Sequence, residues 1–236
     1  MRRAALLLLT AAVASALSVA VAHAAALNVA SQALTPYRTC TLLATPSTTT
    51  SVIDASVRQA TATTNVGTAT TNNVASASGA NRRLYVKFDL TACSPGIPST
   101  ATIRTATLRN YFSAIPTVCR TVDIFRATAT WAEGTITWNN QPFGTTINNP
   151  AVGTATDTFA VGSAAGCENA TTGYATGAVV TTDVAAFVAA TATNYGWMLR
   201  DDTEGAATAA TSTLSAKELA TAAQAPELVV TYVVVP

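Results

Sequence analysis

Histidine is almost missing from this 236-residue chain, which has one, His23. Charge is scarce too, at 11% Asp, Glu, Lys and Arg. No C-x-x-C pair occurs, and only residues 4–22 form an apolar run near membrane length. Each shortage excludes something. His23 falls within a segment that reads as a cleaved leader, so the mature chain has no histidine for a Ser-His-Asp triad, a Cys-His dyad or a His-ligated zinc. Without C-x-x-C spacing, a thiolate zinc site has no sequence basis.

The leader has three parts in the expected order. Met1-Arg2-Arg3 carries positive charge, residues 4–22 are apolar, and Ala22-His23-Ala24 is a small-x-small cleavage pattern. The flank that follows lacks a basic stop-transfer cluster, so cleavage after Ala24 and secretion to the extracellular side are expected, with no membrane span left afterwards. Loss of Arg2 and Arg3 takes 13 basic residues to 11 against 12 acidic, so the net charge passes from +1 to −1. A slightly acidic chain gives no indication of a basic face for nucleic acid. The expected organisation is a signal peptide at 1–24, a leader segment at 25–39 and one β-domain at 40–236.

What is abundant is alanine, threonine and valine, which suit a half-wet pleated surface. Residues 81–90 alternate most clearly. Leu84, Val86, Phe88 and Leu90 share one face, and Arg83, Tyr85, Lys87 and Asp89 the other. Residues 101–113 read as one strand with Ala106, Leu108, Asn110 and Phe112 inward and Arg109 and Tyr111 outward. Further strands are expected at 41–44, 51–55, 73–76, 119–127, 156–161, 196–200, 211–215 and 228–235. A turn and short strand are expected at 131–138, a long surface loop at 56–80, and a strand running into a helical turn at 178–190. Many short strands separated by turn signals indicate an all-β, antiparallel β-sandwich of jelly-roll type. Four cysteines in an exported chain point to two disulfides among Cys40, Cys93, Cys119 and Cys167. Three pairings are open on sequence alone. Cys40–Cys93 with Cys119–Cys167 is preferred, because an antiparallel pair of strands would bring Cys40 near Cys93.

Several segments carry a resemblance. They are the strand Arg82-Arg83-Leu84-Tyr85-Val86-Lys87-Phe88-Asp89-Leu90, the strand Thr105-Ala106-Thr107-Leu108, and Trp131-Ala132-Glu133-Gly134-Thr135-Ile136-Thr137-Trp138-Asn139-Asn140-Gln141-Pro142. Asn194-Tyr195-Gly196-Trp197, Ser215-Ala216-Lys217-Glu218 and the closing strand from Pro226 follow in order. Together these resemble the DNRLRE-domain family, also described as carbohydrate-binding module family 96, over roughly residues 40–234. The name-giving hexapeptide is not present literally. The resemblance implies a β-sandwich of secreted and surface proteins, some of which bind acidic polysaccharides, here without an enzyme domain of its own.

Sugar-binding surfaces stack aromatic rings on the apolar C–H patches of a pyranose. The candidates are Trp131, Trp138, Trp197, Tyr85, Tyr111 and Phe125, of which the three tryptophans lie within the motifs and weigh toward core. Tyr85 and Tyr111 face outward by alternation, beside Lys87 and Arg109. These four form the expected ligand-binding set, where a cation would grip a sugar carboxylate; an ordinary solvated sheet face is the other reading. Asp201, Asp202 and Glu204 offer either a structural Ca2+ site or a solvated loop. As a glycosidase pair these carboxylates share one segment and are not set across a cleft, so no catalytic residue is expected. The expected function is a secreted, non-catalytic protein binding polysaccharide or cell-wall glycan, needing no cofactor beyond a structural Ca2+. The alternative is a cell-envelope or extracellular-matrix structural or adhesive protein.

Overall fold

The computed structural model describes residues 37–43, 51–149, 152–219 and 221–234, excepting the side chain at 222. The signal peptide at 1–24 and positions 25–36 of the leader lie outside the described residues, as do the ends of the strands expected at 41–44 and 228–235. Two antiparallel sheets are formed by thirteen strands, with one α-helix, among the described residues.

The smaller sheet is ordered β1 (Arg38–Leu43), β13 (Glu227–Val233), β5 (Thr102–Arg109), β10 (Ala178–Val179). The larger runs β8 (Asp157–Val161), β7 (Arg120–Arg126), β11 (Trp197–Asp201), β4 (Arg82–Phe88), β3 (Thr71–Ser76), β12 (Ala210–Ser215), β6 (Tyr111–Ala114), β9 (Gly173–Tyr174). β2 (Val52–Arg58) pairs along the whole of β4. Ser56 on β2 links to β3: its hydroxyl accepts from the Asn73 N–H at 2.6 Å and donates to Asn72 Oδ1 at 3.0 Å.

The main core lies between the sheets. Leu42, Ala106, Leu108, Leu228 and Val230 meet Leu84, Val86, Phe88, Val122, Ile124, Trp197 and Leu199. α1 (Thr181–Val188) closes this core with Val184 and Phe187. Its first turn carries Asp183, which suits the positive end of the helix dipole. Asp183 Oδ2 also accepts from Trp197 Nε1 at 2.9 Å, tying the helix to the start of β11. The helix stops where Ala190 takes a positive φ of 55°.

Several sequence expectations need correction. Residues 101–113 are two strands, not one. The chain crosses from the smaller to the larger sheet at Asn110, between β5 and β6. Asn110 is buried because it sits at that crossing, and its carbonyl accepts from the Ala175 N–H at 3.2 Å. The loop expected at 56–80 is shorter, since β2 continues to Arg58 and β3 starts at Thr71. Residues 131–138 contain turns and no strand. They begin the long connection between β7 and β8.

The disulfides join Cys40 to Cys93 and Cys119 to Cys167. The first does not follow from strand pairing. Cys40 lies on β1 opposite Val230, whereas Cys93 follows β4 of the other sheet, so the bridge ties the two sheets together.

Candidate functional site

The strand β4 decides which residues reach solvent. Its alternation is real, but both faces are covered. Leu84, Val86 and Phe88 enter the main core, while Tyr85 enters a second core with Ala55, Val57, Phe125, Ile136, Trp138 and Met198. The β7–β8 connection roofs this second core with Trp131, Ile136, Trp138 and Phe143. Tyr85 is 0% exposed, so it is no outward platform. Its ring lies against Trp131 and Phe143, with centroids 5.6 and 6.5 Å away, and its hydroxyl donates to Gln141 Oε1 at 3.1 Å. Burial pushes its phenol well above the ordinary range. We expect Tyr85→Phe to cost about 1 kcal/mol of unfolding free energy, since Gln141 Oε1 keeps a second donor in Arg83, and to leave any glycan affinity unchanged. Urea denaturation beside a binding titration checks both parts.

The other three expected ligand residues separate into two places. Arg109 ends β5 of the smaller sheet and Tyr111 begins β6 of the larger one. Arg109 pairs with Glu227 at 3.1 Å and lies 4.6 Å over the ring of Tyr174. Tyr111 meets Tyr174 edge-on at 5.5 Å. This cluster is half exposed, but its cation already has a carboxylate and an aromatic face.

Lys87 lies elsewhere. Among the described residues Arg83, Arg109, Arg120, Arg126 and Lys217 are each paired with a carboxylate, whereas Lys87, like Arg38, Arg58, Arg82, Arg104 and Arg200, makes no ion pair. It lines a cleft of about 520 Å³ with Ser51, Asp89, Thr91, Phe187, Thr193 and Asn194. That volume falls within the range of small-molecule sites, roughly 300–1,000 Å³. Asp89 Oδ1 is committed to the N–H and hydroxyl of Thr91 at 2.9 and 2.7 Å. The far wall is set by Asn194, whose Nδ2 donates to the Phe88 carbonyl at 2.8 Å and whose Oδ1 accepts from the Gly196 N–H at 3.0 Å. Gly196 has φ +75°, and a Cβ there would sit 2.2 Å from the Val86 carbonyl and 2.7 Å from Lys87 Cβ. Only glycine lets this loop lie so close to Lys87.

The acidic segment after β11 does not form the expected cation site, because arginines take its carboxylates. Glu204 is fully buried against Arg83, with Nε–Oε1 at 2.7 Å. Asp201 is bound by Arg120, whose Nε lies 2.9 Å from Oδ2, and the Asp202 side chain is 41% exposed. Asp201 and Asp202 thus share Arg120, while Glu204 faces Arg83.

A different acidic cluster escaped sequence reading. Asp54, Glu133 and Glu218 each place a carboxylate oxygen within 4.8 Å of the others. They lie 79 and 85 positions apart in sequence, so no local spacing signals them. Glu133 Oε1 accepts from the Asp54 N–H at 2.8 Å, and Lys217 Nζ lies 3.1 Å from Glu133 Oε2 and contacts Glu218. Asn65 holds the segment through Nδ2 donation to the carbonyls of Glu133 and Ile136, at 2.7 and 2.8 Å. Gly67 permits that contact, since a Cβ would lie 2.2 Å from the Glu133 carbonyl. Burial, followed by the charge of Glu218, raises Asp54 to a pKa of about 7. Burial also raises Glu133, against the opposing effect of the Asp54 N–H and of Lys217.

Two antiparallel sheets packed on a shared core, with a cleft on the surface and several carboxylates paired with arginines, define a β-sandwich module. The model of carbohydrate-binding module family 96 matches residues 45–232, and the chain belongs to that family. No curated protein matches the chain. Within this fold the two-tryptophan motif is mostly structural. Trp138 lies 4.6 Å beneath the Arg83 guanidinium, and Asn140 Oδ1 accepts from the Thr137 N–H at 2.6 Å.

Proposed function

We propose that this chain is a secreted, non-catalytic polysaccharide-binding protein, and that acidic glycans bind in the cleft at Lys87. Family membership supports glycan binding. The observation that carries the site is the placement of Lys87. It is a cation without a carboxylate partner, and it lines a cleft with the hydroxyls of Ser51, Thr91 and Thr193, the Asn194 amide, the Asp89 carboxylate and apolar side chains that include Phe187. An ammonium left unpaired beside hydrogen-bonding groups suits the carboxylate of a uronic acid. A non-catalytic role agrees with the commitment of Asp201 and Glu204 to arginines, which removes them as a free acid–base pair. Two disulfides fit an oxidising compartment, in keeping with export.

The test is retention on acidic and neutral polysaccharides, followed by calorimetry on any that bind. Lys87→Ala is expected to weaken binding to a polyuronate at least tenfold, while Tyr111→Ala leaves it unchanged. Loss on Tyr111→Ala or Arg109→Ala with Lys87→Ala unaffected would move the site to the Arg109–Tyr174 cluster. Absence of retention on every polysaccharide would sink the binding reading.

A further inference from the structure

The Asp54–Glu133–Glu218 cluster gathers three carboxyl groups, and the one ammonium paired with them among the described residues is that of Lys217, which contacts Glu133 and Glu218. Their oxygens are also not all used. Asp54 is 1% exposed; its Oδ2 accepts from the Lys217 backbone N–H at 3.0 Å, but its Oδ1 has no hydrogen-bond partner. Glu218 Oε2 is likewise buried and unpartnered. Asn72 lies beside Asp54 and favours its charged form, without completing a hydrogen bond to Oδ1. An unpaired buried carboxylate oxygen is costly unless something positive or hydrogen-bonding reaches it.

We propose that Asp54, Glu133 and Glu218 bind one Ca2+ ion, which displaces the Lys217 ammonium from between the two glutamates. The ligand chemistry selects the metal. All three groups offer hard oxygens, and no cysteine among the described residues is free to attract a softer ion. The ligands come from β2, from the β7–β8 connection and from the segment after β12, so the cage is assembled from separate pieces. Such a cage suits the larger, more tolerant coordination of Ca2+ better than the strict octahedron of Mg2+. Water would complete the shell, because the Glu133 and Glu218 side chains are 21% and 20% exposed. Lys217 is 17% exposed, so its stem can carry the ammonium out to solvent. The ion would pin the β7–β8 connection, the roof of the second core, to β2.

The experiment is calorimetric titration of the EDTA-treated purified chain with CaCl2 and separately with MgCl2, together with thermal melts. One Ca2+ per chain, a melting temperature that rises to saturation with Ca2+, and binding at least tenfold weaker for Mg2+ are expected. Glu218→Gln, at the solvent side, should weaken Ca2+ binding at least tenfold, as should Asp54→Asn. Lys217→Met should retain or tighten it, because a competing cation is removed. Neither heat nor a shift in melting temperature at millimolar Ca2+, in the natural chain and in Lys217→Met, would overturn the proposal. So would Ca2+ binding that survives unchanged in both Glu218→Gln and Asp54→Asn, since the ion would then sit elsewhere.

Discussion

Arg83→Ala should lower the unfolding free energy by about 3–5 kcal/mol, the range for breaking a buried ion pair from one side. Arg83 and Glu204 side chains are both 0% exposed. All five guanidinium N–H groups are used. Two go to Glu204 at 2.7 and 2.8 Å, and the others to Gln141 Oε1 and the carbonyls of Gly144 and Thr146 at 3.1, 2.8 and 2.8 Å. Glu204 Oε2 also accepts from the Asn148 N–H at 2.9 Å. Removing the arginine leaves a buried carboxylate and two loop carbonyls without their charged donor, and Trp138 loses the cation over its ring. Urea denaturation should therefore show a much lower midpoint for Arg83→Ala and for Glu204→Ala. Arg104→Ala, on an exposed part of β5, should stay within about 0.5 kcal/mol of the natural chain. Arg83→Met combined with Glu204→Leu should recover part of the loss, because no unpaired charge remains. If Arg83→Ala behaves like Arg104→Ala, the roof over the second core does not depend on this pair.

The second large effect concerns the bridge between sheets. Replacing Cys40 and Cys93 by serine together should cost about 4 kcal/mol, as expected for the chain entropy released from a loop of this length. The two cysteines are separated by 53 residues. The bridge is also the covalent link from β1, an edge strand whose one sheet partner is β13, to the segment after β4. Denaturation of oxidised natural and variant chains would measure the loss. A difference under about 1 kcal/mol would mean that the unfolded chain gains little freedom when the bridge is absent.

Sequence and structure agree best where neighbours along one strand decide the outcome. The alternation of β4 placed Leu84, Val86 and Phe88 together, and they do face one core. The same alternation also set Arg83 and Tyr85 on the opposite face correctly. What failed was the step from opposite face to solvent. That face is covered by Gln141, Phe143 and the carbonyls of Gly144 and Thr146, which lie in the long connection between β7 and β8. Arginine and tyrosine at alternating positions are the ordinary mark of a wet face, and nothing nearby in the chain warns that a roof will arrive. One available signal was Gln141 in that roof and Glu204 after β11, polar groups that meet the Arg83 guanidinium in the interior. Asn110 was the other clue, since a buried amide in an apolar run marked the place where the chain changes sheets.

The sequence by itself determined the class of fold, the positions of the main strands, the family through its ordered motifs, and the lack of histidine in the described domain. These follow from local periodicity and composition, which need no knowledge of distant contacts. Only the tertiary structure decided which polar residues meet solvent, which carboxylates arginines neutralise, and which acidic groups gather at one point. Those are outcomes of long-range packing. A charge has the same residue name whether buried or exposed, and only its three-dimensional neighbours make Arg83 a structural staple, Lys87 an open cation, and Asp54 part of a candidate Ca2+ site.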